Sequence, residues 1–336
     1  MRDDTAAFEA TLRSALDGKA KPPGALGRIE ELAAQIARVQ RSLAPRMETC
    51  SLTIFAADHG VAAEGVSAYP QAVTREMLQS FLAGGAASTV FAASLGVPVA
   101  VVDAGVAGAP PGDPGLVDRR IGPGTANFLH GPAMSAAQCA AALDAGHALG
   151  ARAPGEAAAF GEMGIGNTAA AAAVAHKLTG LPLAELVGRG TGLDDAGLAR
   201  KRDVLTRAAA RTADRLGPEA ALAEYGGFEI AMMAGAMRGA AQAGKLVLVD
   251  GLIATVAALA AEALDPDARP ALVFAHRSAD AGHGPLLDHM AARPLLALDM
   301  RLGEGTGALL AWPLARAAAA MLRDMASFES AGISRG

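Results

Sequence analysis

Six short apolar runs constrain this chain more than any other feature, because each ends in a polar or Gly-rich turn and most lead into an Ala-rich stretch of helical period. The runs cover residues 51–57, 97–102, 157–160, 245–249, 271–275 and 294–298. They are unalternated and flanked by Gly or Pro, as strands buried on both faces are. Helical patterns occupy residues 75–95, 135–149, 168–178, 196–216, 228–243 and 253–264. Strand–helix alternation predicts an α/β fold: three αβα layers around a mostly parallel sheet of about six strands. The ends break the rhythm. Residues 5–43 read as two helices separated by Lys21-Pro22-Pro23-Gly24, and residues 306–329 read as helical, with Pro313 marking a start or a kink. The pattern therefore predicts a large α/β domain over residues 45–304. Residues 1–44 and 305–336 would form a small helical subdomain together.

Composition narrows the function. Lys+Arg total 29 against 34 Asp+Glu, a net charge of −5, which argues against a reader of nucleic-acid backbones. Aromatics are 4 % of the chain, too few for a platform on which single-stranded bases stack. No run reaches the ~20 uninterrupted apolar residues of a membrane helix. Charges near the N-terminus stand where a signal peptide needs an apolar core. Cys50 and Cys139 give neither metal-ligand spacing nor a disulfide framework. The expectation is a cytoplasmic protein with no nucleic-acid or membrane partner.

In an open α/β sheet, ligands bind beyond the carboxyl ends of the strands, and here the unusual polar residues gather at those ends. Gly161-Glu162-Met163-Gly164-Ile165-Gly166-Asn167-Thr168 follows an apolar run and opens a helical one. It reads as an oxyanion cradle at a helix N-terminus, or as a tight turn capped by Asn167 or Thr168. Glu162 within it would repel a bare phosphate and suits a cationic or proton-bearing group. Gly188-Arg189-Gly190-Thr191-Gly192-Leu193-Asp194-Asp195, with Lys201 beyond it, reads as the rest of a phosphate cradle, or as a capped helix start with a solvated lysine. Arg301-Leu302-Gly303-Glu304-Gly305-Thr306-Gly307 sets one carboxylate among glycines. Burial would raise its pKa, as a general base requires; the alternative is a carboxylate that complements a helix dipole. Asp58, His59, Asp103 and His276 leave a metal-dependent hydrolase open, although no compact ligand motif accompanies them. A nucleotide sensor without turnover is the other alternative, and it gives Glu304 no role.

Taken in order, eight segments resemble the nicotinate-nucleotide–dimethylbenzimidazole phosphoribosyltransferase family, which acts in cobalamin nucleotide-loop assembly. They are residues 21–28, 57–61, 65–74, 161–168, 188–195, 226–230, 275–278 and 301–307. Ala25, and Ala279-Asp280-Ala281 after the His-Arg-Ser segment, depart from the family pattern. The resemblance implies a Rossmann-like α/β domain with a small helical domain, a homodimer, and no cofactor or metal. It implies transfer of phosphoribose from nicotinate mononucleotide to 5,6-dimethylbenzimidazole. Glu304 would be the base and Glu162 a second acid at the reacting centre. Ser67, Tyr69 and Gln71 would lie by the benzimidazole. Gly164, Gly166, Asn167, Thr168, Gly190 and Lys201 would hold the nucleotide phosphate and ribose.

Overall fold

The computed structural model describes residues 2–109 and 112–334. Two helices open the chain, α1 (Arg2–Asp17) and α2 (Arg28–Gln40). The first half of the sheet follows: β1 (Cys50–Ala57), α3 (Ala72–Leu82), α4 (Ala87–Leu95), β2 (Val99–Gly105) and β3 (Leu116–Asp118). A long middle section holds α5 (Ala136–Arg152), β4 (Ala157–Met163), α6 (Asn167–Thr179), α7 (Leu183–Leu186), α8 (Asp195–Ala209), α9 (Pro218–Tyr225) and α10 (Phe228–Gln242). The chain continues through β5 (Leu246–Val249), α11 (Leu252–Leu264), β6 (Leu272–Phe274), β7 (His276–Arg277), α12 (His283–His289) and β8 (Leu296–Ala297), and then α13 (Thr306–Asp324).

Six strands pair in parallel in the order β3-β2-β1-β4-β5-β6. This is the order of dinucleotide-binding Rossmann folds, and it reverses between β1 and β4. Every residue of β1 and of β5 is buried. Alternation along β1 feeds two cores: Phe55 and Ala57 face a cluster with α5, α6, α9, α10 and α11, while Leu52, Ile54 and Ala56 face α1, α2, α3, α4 and α13. The first and last helices thus lie over the same sheet face, with Leu32 and Ile36 of α2 and Trp312 of α13 in one apolar cluster.

Glycines set the closest helix pair. A Cβ on Gly146 or Gly150 of α5 would collide with the carbonyls of Met232 and Ala236, and one on Gly235 or Gly239 of α10 with those of Leu143 and His147. The two backbones touch where any side chain would hold them apart.

Three sequence expectations change. The sixth strand is β3, three residues at the edge, while the run at 294–298 leaves the main sheet and pairs with β7 as a two-stranded ribbon. The helix expected over 75–95 is two helices, because Gly84 adopts φ 75° between them. That segment has the length and hydropathy of a membrane span, yet its Leu78, Phe81 and Ala92 are buried against the sheet. The helix expected over 196–216 ends at Ala209. Pro313 lies inside α13, which excludes the helix start among its two readings.

Candidate active site

Where the strand order reverses, the chain leaving β4 turns through Gly164, Ile165 and Gly166 and enters α6. Gly166 is the N-cap with φ 99°, so the first turn of α6 has no capping side chain of its own. Its N–H groups and dipole point toward the cleft beyond the strand ends, a disposition that favours an anion. Glu162, Gly164, Asn167, Thr168 and Gly190 line this cleft, with residues 301–303 opposite. An adjoining recess brings Ser67 and Gly166 to the same loops. Lys201 of α8 lies behind them. It is 1 % exposed, and its Nζ donates to Thr168 Oγ1 over 2.7 Å. Burial brings the ammonium down to about 8, against the opposing pull of Asp280.

Two glycines draw the acid-bearing segments into contact. A Cβ on Gly161 would collide with the Glu304 backbone, and one on Gly303 with Glu162 Oε1. Glu304 is 5 % exposed and holds φ 61° between Gly303 at 85° and Gly305 at 83°. Its Oε2 accepts from Ser88 Oγ of α4 over 3.2 Å. Burial raises its pKa, Ser88 opposes the shift, and the neighbouring Asp250 adds to it. Glu162 accepts from the Asn167 side-chain amide. Burial pushes its carboxyl well up, and Asp250, Glu229 and Glu304 push it further. Four buried acids thus face one region, an arrangement that disfavours joint ionisation until a cation enters.

The structure unites most of the residues singled out in the sequence, but not all. Glu162, Gly164, Gly166, Asn167, Thr168, Gly190 and Ser67 border the cleft and its recess, and Lys201 and Glu304 stand one residue behind the lining. Tyr69 is 51 % exposed and Gln71, also exposed, precedes α3. The four residues that left a metal open are divided among separate partners. His59 Nε2 is 2.6 Å from Glu229 Oε1, both residues fully buried. Asp58 accepts from the Ala107 N–H and Asp103 from that of Val106. His276 is 3.7 Å from Asp250. Among the described residues, no three His, Cys, Asp or Glu side chains are grouped to hold a metal.

Sequence reasoning assigned no role to Glu229, Asp250 or Ser88. Glu229 lies in the Gly226-Gly227-Phe228-Glu229 segment, whose glycines were the available signal: a Cβ on Gly227 would strike both Glu229 and His59. Asp250 follows β5 directly, the position expected of a site residue.

Comparison with known proteins agrees with this fold. A phosphoribosyltransferase family model matches residues 2–333. Nicotinate-nucleotide–dimethylbenzimidazole phosphoribosyltransferase of Cupriavidus necator is 54 % identical over 331 residues, covering 98 % of this chain and 96 % of that one. The enzyme of the same name from Aromatoleum aromaticum is 53 % identical over 331 residues, with 96 % and 95 % covered. The crystal structure of CobT from Thermus thermophilus superposes with a TM-score of 0.95 at 46 % identity, covering 98 % of this chain and 100 % of that one. A six-stranded sheet whose order reverses beside a Gly-bounded pair of buried glutamates, carried on a sequence this close to those enzymes, makes the chain a member of the nicotinate-nucleotide–dimethylbenzimidazole phosphoribosyltransferase family.

Proposed function

We propose the following chemistry for this site. The chain transfers phosphoribose from nicotinate mononucleotide to 5,6-dimethylbenzimidazole, releasing nicotinate and forming α-ribazole 5′-phosphate. The nucleotide phosphate lies against the start of α6 and the 188–192 loop, held by backbone N–H groups, Thr168 and the Lys201 ammonium. The pyridinium is already a good leaving group and needs little acid catalysis. One benzimidazole nitrogen attacks C1′ from the face opposite nicotinate, which inverts that carbon and gives the α linkage. The proton on the other nitrogen passes to Glu304, whose raised pKa makes it a competent acceptor. Glu162 stabilises cationic character at the ribose, and that cation in turn favours its ionised form. Ser67, Tyr69 and Gln71 border the benzimidazole. Positioning and electrostatics carry the rate, with no redox step. The enzyme works in the cytoplasm as a homodimer.

The contact of the 161–162 and 303–304 segments carries this reading, because it sets two acids of distinct surroundings beside one anion-favouring helix start. The test is incubation with nicotinate mononucleotide and dimethylbenzimidazole, with mass analysis for α-ribazole phosphate. Glu304→Gln keeps shape but cannot take the proton, so turnover falls about 10²- to 10⁴-fold while both substrates still bind. Near-normal turnover in that variant refutes the base assignment.

A further inference from the structure

Asp250 occupies the first position after β5 and is 2 % exposed. Its two oxygens reach the start of α13. Oδ2 accepts from the Gly305 N–H over 3.2 Å, and Oδ1 accepts from Gly307 over 2.7 Å and Ala308 over 3.1 Å. These are orphan donors of a helix first turn, which an N-cap side chain normally satisfies. The N-cap here is Gly305, at φ 83°, and carries no side chain. The cap is therefore supplied from another element, 55 residues away in sequence.

The same three bonds hold a costly backbone. Glu304 at φ 61° is a non-Gly residue in the left-handed region, a conformation that costs about 1–2 kcal/mol and persists only where its surroundings impose it. Asp250 binds the residue immediately after it. We propose, building on the reading of Glu304 as the base, that Asp250 is a positioning residue for this reaction: its carboxylate holds the 303–305 loop in the conformation that aims Glu304, and its negative charge strengthens Glu304 as a proton acceptor.

The groups facing Asp250 are His276 at 3.7 Å, Glu304 and Glu162. Glu229 of α10 acts on Glu162 as well. Burial pushes the Asp250 carboxyl up, while His276 and the three N–H bonds favour its ionised form. Its oxygens are used as acceptors by backbone donors, the role of a carboxylate. That charge raises both Glu304 and Glu162. Removing it lowers the pKa of Glu304, so the acid limb of the pH–rate profile moves to lower pH.

The test is the pH dependence of kcat/KM for Asp250→Asn beside wild type, with both substrate affinities and the thermal midpoint measured on the same preparations. Asn keeps one acceptor for Gly307 and Ala308 but loses the charge and the acceptor for Gly305. The expected result is a kcat about 100-fold lower at neutral pH, the loss a misplacement of ~1 Å brings. The acid limb shifts down in pH and binding of both substrates is unchanged. Asp250→Glu restores the charge on a longer stem: its limb stays at the wild-type position while kcat falls. A limb that superposes on wild type in Asp250→Asn, or moves equally in both variants, overturns the proposal. Glu304→Gln measured alongside separates the two readings. If it keeps turnover, the base assignment fails. If it is inactive while Asp250→Asn keeps the wild-type profile, only the role of Asp250 fails.

Discussion

Lys201 offers a test in which binding and stability move in opposite directions. Its ammonium is almost wholly buried, and burial brings its pKa down from 10.5 to about 8. Holding that charge in the folded chain costs about 3 kcal/mol, at 1.36 kcal/mol per pH unit. The 2.7 Å bond to Thr168 returns part of this. A phosphate on the cleft side of Thr168 and Gly190 returns more, since a hydrogen bond to a charged group contributes about 1.5–3 kcal/mol. Lys201→Met therefore raises the KM for nicotinate mononucleotide about 10- to 100-fold and leaves that for the benzimidazole unchanged. The same variant is at least as stable as wild type at neutral pH, because the buried charge is gone. Wild-type nucleotide KM climbs as pH rises through about 8, where Lys201 loses its proton, and the Met variant stays flat. Stability carries the opposite sign. The folded pKa lies below the unfolded one, so the unfolded chain binds the extra proton between pH ~8 and ~10.4, and wild-type stability rises across that window. Steady-state kinetics from pH 6 to 10 and denaturant unfolding at matching pH read both effects. A nucleotide KM in Lys201→Met equal to wild type, or a wild-type KM flat through pH 8, removes the ammonium from the phosphate site.

Other perturbations follow from the same geometry. Ser88→Ala removes the hydroxyl that favours the ionised form of Glu304, so the acid limb of the pH–kcat/KM profile moves upward, opposite to the shift expected for Asp250→Asn. Gly235→Leu forces a side chain into the Leu143 carbonyl of α5, where neither backbone can yield. Overpacking typically costs about 1–3 kcal/mol, and a backbone collision belongs at or above the top of that range. Chemical denaturation of the purified variant reads the loss, and a wild-type midpoint would refute the close approach of α5 and α10.

The central strands were legible because burial on both faces leaves a signature that needs no partner: an unbroken apolar run between turn residues. β1 and β4 match it, and so do the Gly-rich segments at their ends. β3 carries none of it. Leu116-Val117-Asp118 is three residues at an edge, and only its pairing with Val101–Asp103 of β2 makes it a strand. The run at 294–298 fails for the converse reason. It is apolar enough to be a strand, but it touches β6 only at that strand's last residue, where the Leu295 N–H donates to Phe274, and its ladder forms with β7 just beyond the sheet. The split between α3 and α4 was written in Gly84-Gly85, a signal that apolar periodicity on both sides outweighed.

The site divides along the same line. Glycine-bounded loops announce themselves, because a chain keeps Gly-Glu-Gly or Gly-Ile-Gly where backbone must approach backbone or turn left-handed, and Gly303 and Gly305 do turn that way. Pairings across the fold announce nothing. His59 meets Glu229 across 170 residues, and Ser88 meets Glu304 across 216. Each of these residues, read alone, is as compatible with a solvated surface as with a buried partner. What fold topology adds is the coincidence: parallel strands deliver Asp58, Glu162 and Asp250 to one edge, and the cost of burying acids there is offset only if backbone N–H groups, a histidine or a cationic ligand meets them. The sequence sets acids at that edge, while the roles proposed for Glu304 as base, Glu162 as charge stabiliser and Asp250 as loop anchor depend on which donors the rest of the chain brings to each.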